Sequence, residues 1–91
     1  MITQIKNISE TKLDKKHKKV GEKKLARLMI GARIRVARIY CDLEQKELAQ
    51  KVGVGQEKIS RWESGISEPE SIYVKKIAVI TGFDWQFFYK D

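Results

Sequence analysis

Between Gly53 and Gly65 the chain reads VGQEKISRWES, and its polar residues are spaced for chemistry. Gln56, Glu57, Ser60 and Arg61 recur at i, i+1, i+4 and i+5, which is one face of a helix. Ile59 and Trp62 fall on the other side. A glutamine amide can pair with adenine N6 and N7, and a guanidinium with guanine O6 and N7. Each such pair carries roughly 1–3 kcal/mol of base discrimination. Ser60 can contact either. Glu57 can accept from cytosine N4, or orient Arg61 four residues on. Lys58, to one side of the face, suits a phosphate. A polar helix face is commonly no more than a solvated one, but the inward Ile59 and Trp62 and the flanking glycines argue for presentation to a ligand.

The elements that must hold this face follow from hydrophobic spacing. A helix is expected from Leu25 to Tyr40 and bears two nearly opposite apolar stripes: Ile30, Ile34, Ala37 and Cys41, and Leu25, Met29, Ala32, Val36 and Ile39. Asp42 can take the left-handed backbone that ends a helix. A second helix spans about Gln45–Val52, with Leu48, Ala49 and Val52 inward, and Gly53 turns the chain toward Val54 and the helix over 56–64. Two short helices joined by a tight turn make a helix-turn-helix, with Leu48, Ala49 and Val52 facing Val54, Ile59 and Trp62. Pro69 disfavours helix at Glu68. A fourth helix over about Glu70–Thr81 is expected to bury Ile72, Ile77, Ala78 and Ile80 or close neighbours, with Val74 assisting. Gly82 ends it, and Asp84 caps a short fifth helix, WQFFYK. With no alternating run of strand type, the reading is all-α: a compact five-helix bundle.

Charge divides the chain unevenly. The net charge is +7 over 91 residues, but residues 1–27 hold nine Lys/Arg against three acids, and residues 28–91 hold ten against nine. Residues 1–24 therefore read as a basic, flexible extension, and 25–91 as the domain. One cysteine excludes an intrachain disulfide. His17 has no ligand-spaced partner, so neither a metal nor a cofactor is expected. No signal pattern or bilayer-length apolar run stands out, which points to a cytoplasmic protein. An enzyme lacks its parts: there is no nucleophile with a base, and GVG is too short to cradle a phosphate.

Residues 30–89 resemble the phage-repressor helix-turn-helix family, the XRE type that includes the lambda and 434 repressors and Cro. The resemblance rests on IGARIRVAR with Arg38, LEQKELAQKVGV, ISRWESG followed by Pro69, and IAVITGFDW. It implies double-stranded operator DNA as partner, read by helix 56–64 in the major groove. Gln56, Glu57 and Arg61 then take base-contacting positions. Gln45 matches a glutamine that bonds a phosphate and can brace the first recognition-helix residue; Lys46 and Lys58 are the neighbouring phosphate candidates. Arg38 and Glu63 match a partly buried ion pair, which also makes sense alone, because opposite charges facing a core must pair. Two positions depart from the family pattern: Gly55 and Glu44 stand where capping hydroxyls are common.

The expected function is a sequence-specific transcriptional regulator, a repressor by family habit, acting as a homodimer on DNA. Lys12 to Lys24 would lie along phosphates, enter an adjacent groove or remain solvated. Either WQFFYK or the stripe from Leu25 to Ile39, whose 4, 3, 4, 3 spacing suits helix pairing, would join the copies, unless Ile2, Ile5 and Ile8 fold back over that stripe. The alternative is an antitoxin or other interaction module of the same fold that binds a partner protein, motivated by the surplus apolar surface.

Overall fold

The structure, a computed structural model, describes the backbone of residues 14–89 and the side chains of residues 21–89. Four α-helices and one 3₁₀ segment make up the described residues: α1 (Asp14–Tyr40), α2 (Gln45–Val52), α3 (Gln56–Ser64), α4 (Ser71–Thr81), and a 3₁₀ turn over Trp85–Tyr89. Expectations that fall on Ile2, Ile5, Ile8, Lys12 and His17 concern side chains outside the described residues.

α1 begins at Asp14, not at Leu25. The lysine-rich stretch that reads as an extension is built from straight-chain residues with high helix propensity. Such residues prolong a helix that is already nucleated downstream. That nucleus is the stripe of Ile30, Ile34 and Ala37, all buried, with Cys41 half-buried and its thiol donating to the Thr81 carbonyl at 3.2 Å. α1 stops where Asp42 adopts a left-handed φ of 58° and the Leu43 N–H bonds back to the Arg38 carbonyl at 3.1 Å.

The α2 and α3 helices pack as the apolar spacing requires. Leu48, Ala49 and Val52 meet Ile59 and Trp62 in the core, and Val54 is half-buried against them. Gly53 ends α2 at φ 91°, a conformation that costs other residues energy, and its N–H and that of Val54 both return to the Ala49 carbonyl. Glu44 opens α2 with its own N–H donated to Glu47 Oε1 at 2.8 Å, the reciprocal bond of a capping box.

Two expectations about the C-terminal part need correction. α4 buries Val74, Ile77, Ala78 and Thr81, while Ile72 is exposed and Ile80 half-buried. Val74, positioned two residues later, takes the inward place, because 74, 77, 78 and 81 form one face and residue 72 points away from it. The fifth helix is a 3₁₀ turn, started by Asp84, whose Oδ1 accepts from the Gln86 N–H at 3.1 Å. Phe88 from this turn is fully buried. Phe87 packs against Phe83 and beneath the Arg33 guanidinium, which also donates to the Phe87 carbonyl at 2.7 Å. Of the aromatic residues expected as surplus apolar surface, Phe88 is thus spent inside the chain's own core, worth roughly 1.5–3 kcal/mol; Phe87 is half-buried against that core, and Tyr89 stays exposed.

α1 and α3 touch at backbone level. A methyl group on Gly31 would overlap the Trp62 carbonyl oxygen and lie 2.9 Å from that of Glu63. Neither neighbour can yield, because both belong to the last turns of α3. Gly31→Ala is therefore expected to destabilise the fold by about 2–3 kcal/mol or more. Gly21→Ala, with nothing within 4 Å, should stabilise it by about 0.5–1 kcal/mol where α1 is helical. Chemical denaturation of the two variants checks both signs.

Candidate nucleic-acid interface

Every residue on the outward side of α3 is exposed: Gln56, Glu57, Lys58, Ser60, Arg61 and Ser64. Ile59 and Trp62 fasten the helix from below at 0% and 4% exposure, and Trp62 packs on the Tyr73 ring with centroids 5.4 Å apart. The face therefore offers an amide, two cations, a carboxylate and two hydroxyls on a helix that cannot roll. Ser64 is an addition to the expected set; its place four residues after Ser60 was the available signal. Its hydroxyl donates to the Arg61 carbonyl at 3.2 Å.

The ends of α3 differ in how they are made. Gly65 closes it at φ 80°, and the Gly65 carbonyl accepts from Arg27 Nε at 3.2 Å. At the start, Gly55 has an ordinary φ of −77° and no neighbour within 4 Å of a Cβ. Nothing within the protein requires glycine there. The start of the helix is simply left bare toward solvent.

A single carboxylate holds this arrangement to the rest of the molecule. Glu63 Oε2 accepts from Arg38 Nε at 2.6 Å, and Oε1 accepts from Arg38 Nη2 and from Gln45 Nε2, each at 3.0 Å. Arg38 Nη1 donates to the Leu43 carbonyl at 2.9 Å. The side chains of Arg38 and Glu63 are 12% and 3% exposed, so Arg38 does structural work and is held away from the outward face. Gln45 is half-buried at the start of α2 and already committed through one N–H; its amide nitrogen carries a second.

Glu57 and Arg61 share the face, yet among the described residues no ion pair joins them. Glu57 orienting Arg61 is therefore not seen: both groups lie in water, where an i,i+4 pair gains only a few tenths of a kcal/mol against the side-chain entropy it costs. Arg61 instead lines a shallow groove together with Lys58, Trp62, Glu68, Glu70 and Tyr73. Burial, and then the Glu68 carboxylate, raise the pKa of the Tyr89 phenol, which keeps that group neutral. Lys46 is exposed on α2.

This geometry of a fixed, polar-faced helix following a glycine turn coincides with a sequence match. Residues 34–88 match the model of a helix-turn-helix family. The chain is a helix-turn-helix protein of the XRE type. As such it is a DNA-binding regulator. A comparison with curated proteins found no match. No helix of the described residues is long and apolar enough to cross a membrane.

The carboxylate hub makes a quantitative expectation. Glu63→Gln leaves the Arg38 charge nearly buried without a counter-charge and should cost about 3 kcal/mol or more in urea unfolding. The double replacement Arg38→Met with Glu63→Leu should cost clearly less than the two single changes summed, since no charge is then stranded.

Proposed function

We propose that this helix-turn-helix protein is a sequence-specific repressor that reads operator DNA with α3 in the major groove, binding as a homodimer. The observation that carries the reading is the exposed face of Gln56, Glu57, Ser60 and Arg61 on a helix fixed by Ile59, Trp62 and Glu63. Specificity requires side chains held within reach of base edges, and a helix that could roll would blur the contact.

Roles divide by chemistry. Arg61 pairs with guanine and Gln56 with adenine, Ser60 contacts an adjacent base, and Glu57 accepts from a cytosine amine. That last role is the one left to Glu57 once it is not tied to Arg61. Lys58 and Lys46 meet phosphates, and Gln45 contributes the second N–H of its amide while Glu63 holds the first. The bare start of α3 at Gly55 lets the DNA backbone approach the main chain closely. Glu68 and Glu70 line the same groove as Arg61 and oppose a phosphate there. The lysine-rich start of α1, with exposed Lys23 and Lys24, adds sequence-independent attraction.

Selection of bound sites from a random duplex library tests the reading. Arg61→Ala should relax one base position by roughly 1–3 kcal/mol, whereas Lys58→Ala should weaken all sites alike and reduce the slope of log affinity against log salt by about 1. An unaltered selected sequence for Arg61→Ala overturns the assignment. Gly55→Ser should leave folding stability within a few tenths of a kcal/mol. A several-fold loss of operator affinity in that variant supports close main-chain approach.

A further inference from the structure

α1 is apolar on the side turned away from its own domain. Leu25, Val36 and Ile39 are 56%, 52% and 55% exposed, and Ala32 is exposed between them; Leu28 is 41% exposed at the edge, where it also lies against Gly65. The core-facing residues Ile30, Ile34 and Ala37 lie on the opposite side. A helix apolar on both sides is built to be covered on both. The spacing identifies the cover. Counted from Ala32, apolar residues stand at minus and plus seven (Leu25 and Ile39) and at minus and plus four (Leu28 and Val36). A stripe that is symmetrical about its own midpoint meets the requirement of an isologous contact, in which each half of a surface packs on the other half of an identical partner.

We infer that a second copy of this chain covers the outer face of α1, running antiparallel to it, with Ala32 of each copy at the two-fold axis. Leu25 packs against Ile39 of the second copy and Leu28 against its Val36, while the small Ala32 lets the helices approach. Charge agrees with this direction. Arg27, Arg33 and Arg38 are each bonded within their own domain. Arg35 is the exposed arginine beside the stripe, and antiparallel pairing sets it opposite Met29 of the second copy, not opposite Arg35, so that its stem covers apolar surface. The four paired side chains and Ala32 make a small contact, of the size of the weaker specific interfaces.

The pairing is argued from α1 alone, but it suits the proposed reading of DNA. α3 packs against α1 through Arg27, Gly31 and Arg38, which lie to one side of the line from stripe to core. A two-fold axis keeps that side common, so both α3 helices face the same way, as two half-sites of one duplex demand.

Sedimentation of the full chain without DNA tests the interface. The wild type should dimerise at micromolar concentration, and Leu25→Glu and Ile39→Lys should each weaken the dimer at least tenfold. Because residue 25 faces residue 39 of the other copy, the double variant places opposite charges together and should regain much of the loss. In a Cys41→Ser background, Ala32→Cys should oxidise to a disulfide-linked dimer far faster than Val36→Cys. A monomeric wild type overturns the inference, whether residues 1–13 or another protein covers the stripe. So do a double variant no better than the singles and equal cross-linking at 32 and 36, which would mean a parallel pair. Arg61→Ala, which tests DNA reading, should leave the mass unchanged, so the two ideas fail separately.

Discussion

Four parts of the chain meet at the Arg38–Glu63 pair. Arg38 brings α1 and also donates to the Leu43 carbonyl of the loop that follows it, Glu63 brings the last turn of α3, and Gln45 of α2 donates to the Glu63 carboxylate. An ion pair this far from water gains little over a well-packed apolar pair, and its value is geometric. A bidentate guanidinium accepts a carboxylate in one plane and at one distance. α3 can therefore take one rotation and one height relative to α1, and the direction of its outward side chains is fixed before any ligand arrives.

The parts of this design that were plain in the sequence are those governed by short-range rules. Ile30, Ile34 and Ala37 share a helix face, Gly53 and Gly65 break the chain where left-handed backbone is needed, and Arg38 and Glu63 are charges at core-facing positions. What was hidden depends on distance or on water. The start of α1 at Asp14 follows from propagation of a helix nucleated farther along, which no local lysine reveals. Ile72 and Val74 are equally apolar, and only the packing of α4 on its neighbours decides which turns inward. Phe87 and Phe88 look like excess surface until Arg33 and Phe83 are placed against them.

Charge on the outward face is mixed, and this shapes how the domain can bind. Lys46, Lys58 and Arg61 attract phosphates, while Glu57, Glu68 and Glu70 repel them. A domain of this balance gains less from counterion release than a uniformly basic one. It must rely more on fit between particular groups. Discrimination benefits, because attraction common to all DNA raises every competing site along with the right one.

Gly31 lets the carbonyls of Trp62 and Glu63 come close against α1, and the side chains that hold α3 there, Ile59, Trp62 and Glu63, are none of its outer surface. Mount and message are separable as a result. The outward positions can be rewritten letter by letter without unseating the helix that displays them, so one frame could serve a lineage of proteins, each addressed to a different operator.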